Sequence, residues 1–157
     1  MNETIKLLKE YEEIADLHAD RLQMALEHLK TLFPLTKAKM KNFSDEQLGY
    51  LEILTTRFSK LQDLIGGKIF TLILSSVEEN VEKLTMLDKL NLLEKKEFLE
   101  SVKKWQLLRE LRNDIAHDYP NQLEELVEDI NKIAIEAKWL LDYWQQLKGQ
   151  MQKRVYK

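Results

Sequence analysis

Ile5, Leu8, Tyr11, Ala15, Leu22, Ala25, Leu29 and Leu32 recur at steps of three, four or seven, the spacing that gathers apolar side chains on one face of an α-helix. The signature returns in three further runs: Leu48, Leu51, Phe58, Leu61, Ile65, Ile69, Leu72 and Ile73; then Phe98, Val102, Trp105, Leu108, Leu111 and Ile115; then Leu123, Leu126, Ile130, Ile133, Ala137, Leu140, Leu141, Trp144 and Leu147. Long helices with one apolar stripe each must bury those stripes against one another. The spacing therefore predicts an all-α chain, an up-and-down four-helix bundle, in one domain spanning residues 1–157. Four glycines and two prolines are too few turn residues for a sheet protein of this length.

Local signals set the expected boundaries. The first helix must stop before Pro34, because the residue ahead of a proline is pushed out of the α region. "PLTKAKMKNF" reads as a loop, and "SDEQ" at 44–47 has the form of a capping box opening the second helix. That helix should run to about Glu79 with Gly66 and Gly67 inside it. Paired glycines cost roughly 1 kcal/mol each against alanine there, which points to a kink or a close helix contact. A phosphate loop is not read, since the rest of a Gly-rich pattern is missing. "TMLDKLNLL" should be a short helix or turn reversing the chain. The third long helix is expected from about Glu94 to the Tyr119-Pro120 pair, and the last from about Gln122 to the region of Lys148.

Composition narrows the classes of function. With no cysteine, neither a disulfide framework nor a thiolate metal site can form, and without a His-x-x-x-His pair no zinc site is legible. No metal or cofactor is expected. The charged start "MNETIKLLKEYEE" lacks the apolar core of a signal peptide, and no apolar run approaches the roughly 20 residues of a membrane span. A cytoplasmic protein without a membrane partner is the resulting expectation. The net charge of −3 offers no global attraction to nucleic acid, so such binding would need a local patch. Lys95, Lys96, Lys103 and Lys104 could extend one toward Arg109 and Arg112, although Glu94, Glu97 and Glu100 interleave with them. His18 and His28 lie beside apolar stripes and read as packing histidines rather than ligands. Trp105 and Trp144 sit at core spacing, and Trp139 could stack on a base.

The unusual stretch is "LRELRNDIAHDYP", residues 108–120. On a helical wheel with Trp105 at zero and about 100° per residue, Leu107, Leu108, Leu111 and Ile115 fall between about 200° and 300° and define the expected core side. Arg112 then lies at about 340°, Arg109 at about 40°, Asn113 at about 80° and His117 at about 120°. Arg109, Asn113 and His117 should form a stripe beside the core, flanked by Arg112. One copy converges poorly on a single reacting atom, whereas two copies across a two-fold axis would bring both Arg and His sets into one cleft. The site therefore predicts a homodimer.

Histidine gives and takes a proton near neutrality, and arginine's planar fork clamps phosphate. Together they suffice for RNA cleavage without a metal: an acid or base for the 2′-hydroxyl or leaving oxygen, and a cation for the charge developing on phosphorus. A purely structural account stands beside this one. In it Arg112 pairs with a carboxylate such as Asp114 or one on the next helix, and His117 caps the helix C-terminus.

Arg112, four residues, His117, one residue, Tyr119 resembles the signature of the HEPN superfamily, the prokaryotic toxin branch in particular. The motif stands at the end of the third long helix, where that family carries it, and Asn113 directly after the arginine fits the common family form. The resemblance in organisation covers most of the chain. It implies a homodimeric, metal-independent endoribonuclease, the toxin of a toxin–antitoxin pair. Arg112 and His117 would be catalytic, supported by Asn113, Asp114 and Arg109. The implied partner is a minimal nucleotidyltransferase antitoxin that adds adenylyl groups to Tyr119. No role for Pro120 follows. Two alternatives remain open: a non-catalytic subunit of the same fold that presents substrate or Tyr119 to a nucleotidyltransferase, and a structural helical adaptor.

Overall fold

The computed structural model describes residues 2–78, 80–116 and 123–157. The described residues are helices and connections, so the chain is all-α as expected. Helix α1, Glu3–Leu29, starts on an Asn2 cap and ends in a single 3₁₀ turn, Lys30–Leu32, ahead of Pro34. The segment expected as a loop contains a short helix instead, α2, Lys37–Lys41, because the Thr36 hydroxyl accepts the Lys39 N–H and nucleates a turn. Asn131 then fastens this connection to the last helix: Leu35 N donates to Asn131 Oδ1 at 2.7 Å, and Asn131 Nδ2 donates to Leu35 O at 3.0 Å.

Helix α3, Asp45–Leu64, opens on the expected capping box, with both reciprocal bonds between Ser44 and Gln47 formed. It passes without a break through a π-helical turn, Ile65–Ile69, into α4, Phe70–Val77. The glycine pair lies in that widened turn. A Cβ on Gly66 would stand 3.1 Å from Trp105 Nε1, whereas one on Gly67 would meet nothing within 4 Å. The close helix contact inferred from the pair is therefore made by Gly66 alone.

The short helix expected at "TMLDKLNLL" forms, and the third long helix follows it but starts at Val102 rather than at about Glu94. The chain forms α5, Met86–Lys95, and then α6, Val102–Ile115, with a reversal between them. Glu97 takes a left-handed φ of 64°, and the backbone N–H groups of Phe98 and Leu99 turn back to Leu93 O. This satisfies carbonyls that a helix end would leave bare. Ser101 caps α6, and Glu94 Oε2 accepts the Val102 N–H at 2.7 Å, tying the new helix to the old one. Helix α7, Leu123–Arg154, is longer than expected at 32 residues, since Met151 is still fully buried beyond Lys148.

Helices α1, α3, α6 and α7 share one core, with α1 lying along α3 and α7 touching all three others. Trp105 and Trp144 are its largest buried side chains. The Trp144 indole donates to Asp16 at 2.9 Å, and Lys148 reaches the same carboxylate at 2.7 Å, so the amphipathic end of the ring is satisfied at the core's edge. Trp139 is half-buried and stacks on Tyr143 with ring centroids 5.1 Å apart. His28 stacks on Tyr50, and His18 accepts from Arg57, so both histidines have packing roles. Among the described residues, no helix is long and apolar enough to cross a membrane.

Candidate functional site

The phase of α6 decides what its polar residues can do. Its buried positions are Val102, Trp105, Leu108 and Leu111, while Leu107 is 49% exposed. The core side is thus centred between Trp105 and Leu108, rotated away from the Leu107 direction that the wheel suggests. Counting Leu107 as core, with Trp105 at the margin, is what displaces the expected phase. With the corrected phase, Arg112 points toward the bundle from the last turn of α6, and Arg109 stands one turn before it on the outer edge of the same side.

Arg112 is accordingly drawn inward and meets α3. Its Nη2 forms an ion pair with Asp63 Oδ1, and its Nη1 donates to Asn113 Oδ1 at 2.6 Å. Its Nε is buried without a hydrogen-bond partner among the described residues. A carboxylate does hold the arginine, but it comes from the preceding long helix rather than from Asp114 or the next one. Asn113 and Asp114 are exposed at the end of α6, as is Arg109. Of these three, Asn113 is the one that orients Arg112. His117 and Tyr119, together with Pro120, lie outside the described residues. The arginine half of the motif is what can be placed.

Arg109 and Arg112 line one pocket of about 110 Å³ with the π-helical turn on its opposite wall. Gln62, Asp63 and Gly66 contribute from that wall, and Trp105 from the α6 side. Gln62 is 3% exposed, the buried polar residue of the core, and its Oε1 has no hydrogen-bond partner among the described residues. Its sequence signal was an amide four residues after Phe58 and next to Leu61, on the apolar line of α3. Asp63 carried no signal of its own, because its partner is 49 positions away.

Within the lysine track, Lys96 and Lys104 are paired. Lys96 pairs with Glu78 at 2.8 Å, and Lys104 pairs with Glu136 while lying over the Trp139 ring. No group of three or more metal-ligating side chains occurs among the described residues. Compared with known protein families, with curated proteins and with solved structures, the chain finds no match in any of the three.

Proposed function

We propose that this chain is a metal-independent endoribonuclease of the HEPN kind, a toxin acting as a homodimer, with Arg112 and His117 as its chemistry. The observation that supports this most directly is the setting of Arg112. The first residue of the motif is turned toward the bundle, oriented by Asp63 and Asn113, and placed beside a pocket that a second arginine also lines. A guanidinium carries five N–H donors. Two are engaged here and Nε–H is buried, which leaves one N–H on each terminal nitrogen for a phosphate.

In this reading His117 takes the proton from the ribose 2′-hydroxyl. The 2′-oxygen bonds to phosphorus, the bond from phosphorus to the 5′-oxygen breaks, and the leaving oxygen is protonated by the partner subunit's imidazolium. A 2′,3′-cyclic phosphate and a 5′-hydroxyl result. Arg112 stabilises the charge that accumulates on the non-bridging oxygens. The antitoxin of this reading is a minimal nucleotidyltransferase that modifies Tyr119.

The Arg112–Asp63 pair also favours a second reading, in which Arg112 is a structural tie and the chain is a non-catalytic subunit presenting substrate or Tyr119 to a nucleotidyltransferase. Purified wild type, Arg112→Ala and His117→Ala are compared on total RNA with a chelator present, alongside growth of cells expressing each. Cleavage and growth arrest by the wild type alone support the nuclease. Intact RNA and equal growth in all three sink it and leave the non-catalytic subunit.

A further inference from the structure

We infer that the groove between the end of α1 and the middle of α7 binds a small alkyl carboxylate, an aliphatic chain of medium length with one anionic end. The groove shares no lining residue with the pocket of Arg109 and Arg112, so the inference stands apart from the ribonuclease reading. One wall is Asn131, Ala134, Ile135 and Lys138 of α7, and the other is the end of α1 and the connection after it, with Lys30 and Phe33. The α7 residues have the i, i+3, i+4, i+7 spacing of one helix face, so the groove follows that helix for two turns, about 10 Å. Its volume is about 290 Å³, at the lower end of the roughly 300–1,000 Å³ of ordinary ligand cavities. Such a volume spread over two turns favours one extended chain over a docked helix, whose diameter is about 10–12 Å.

Two properties select the ligand. The first is apolar surface left open: Ile135 is 67% exposed, the most open of the large hydrophobic side chains among the described residues. A chain laid against it leaves water, which raises affinity about fourfold for each methylene buried. The second is charge. Lys30 and Lys138 line the groove and no carboxylate does. None of the ion pairs among the described residues includes Lys138. Lys30 holds Glu27 in an exposed pair of a kind that contributes little, so an incoming carboxylate can take its place. A third ammonium, Lys39 Nζ, donates to Leu32 O at 3.2 Å and to Pro34 O at 3.0 Å, covering carbonyls near the end of α1 that would repel an anion. An apolar track bordered by ammonium groups is complementary to an aliphatic anion. An alkyl ammonium would meet like charge there, and an alcohol would leave the lysines without a counter-charge.

Full-length protein is titrated with octanoate, hexanoate, octylammonium and 1-octanol, each to about 3 mM, a range that detects millimolar binding. Binding is followed by the amide resonances of Ile135 and Lys138, and by the urea midpoint, which rises when a ligand binds the folded state alone. The expected result is a saturable shift with octanoate, about tenfold weaker binding of hexanoate for its two missing methylenes, and weaker binding of both uncharged and cationic chains than of octanoate. Lys30→Glu combined with Lys138→Glu changes two exposed positions and leaves the fold intact. In that variant the order reverses: octanoate binds at least tenfold more weakly than to the wild type, and octylammonium binds in its place. Equal wild-type affinity for octylammonium or octanol, no saturable shift with octanoate, or an unaltered order in the double variant each overturns the site. Self-association of the wild type that Ile135→Ser abolishes also overturns it, because the groove would then belong to a second copy of the chain.

Discussion

Arg112 and Asp63 form an ion pair between the last turn of α6 and the last turn of α3. The pair fixes the guanidinium of the motif in one orientation, so its removal should disturb chemistry more than stability. With the two side chains 30% and 51% exposed, a pair of this kind contributes roughly 0–1 kcal/mol. Asp63→Ala is expected to unfold at nearly the wild-type urea concentration; on the proposed ribonuclease reading it would also cleave RNA roughly ten- to a hundredfold more slowly, the scale of a misplaced catalytic group. Arg112→Lys keeps the charge and loses the fork, and it should be as defective as Arg112→Ala. Full activity in Arg112→Lys would show that charge alone suffices.

The two glycines of the π-helical turn should respond in opposite directions to alanine. At Gly66 the new methyl meets a rigid indole at 3.1 Å, and overpacking of this kind costs about 1–3 kcal/mol. At Gly67 it meets open space, and relief of backbone entropy contributes up to about 1 kcal/mol of stability. Denaturant midpoints of the two variants measure this, and equal shifts of the same sign would refute it.

Asn131 holds the connection after α1 through two bonds to the Leu35 backbone. Asn131→Ala leaves that half-buried backbone pair without its partners, at a cost of about 1–3 kcal/mol for each group left unsatisfied. Amide hydrogen exchange at Leu35 should accelerate strongly while the amides of α3 exchange as before. Unchanged exchange at Leu35 would show that water replaces the amide without loss.

His18 gives the fold an acid-sensitive joint. Burial lowers its pKa from 6.5, helped by the positive charges of Arg57 and Lys60, and Arg57 Nη1 donates to its Nδ1 at 2.9 Å. The folded state therefore keeps this imidazole neutral at pH values where the unfolded chain has already bound a proton. Stability is full above 6.5 and declines as pH falls from 6.5 toward the lowered folded value. Urea midpoints between about pH 7.5 and 5.5 should fall more for the wild type than for His18→Asn, which cannot titrate in this range. Parallel profiles would assign the acid sensitivity to other groups.

What the sequence disclosed follows from which interactions are local. The capping box at Ser44 and Gln47 involves residues three apart, and the stripes of α1, α3 and α7 repeat within a turn or two, so both were legible. The break before the third long helix was expected at about Glu94, and its true place at Lys96–Glu97 was not legible. Leu92, Leu93, Phe98, Leu99 and Val102 continue an apolar spacing straight across a left-handed Glu97 that neither Gly nor Pro announces. Trp105 stood at core spacing in the sequence, and the phase of α6 failed because Leu107, which is exposed, was also counted on the core side. In the candidate site, Arg112, Asn113 and Arg109 were found from spacing. Asp63 and Gln62 come from a different helix, and nothing in either segment alone pairs them with α6.

The long α7 has a consequence for the order in which the chain matures. Asp16 meets Trp144 and Lys148, partners 128 and 132 positions away, and Glu12 meets Tyr156 across 144. Contacts of such separation are slow to form, whereas the α1–α3 hairpin closes over a short connection. During synthesis the hairpin can pair early, yet the part of α1 that meets α7, around Glu12 and Asp16, stays uncovered until α7 has left the ribosome. The nascent chain is thus most prone to aggregation in that interval, and a pause in translation before residue 123 should raise its dependence on chaperones.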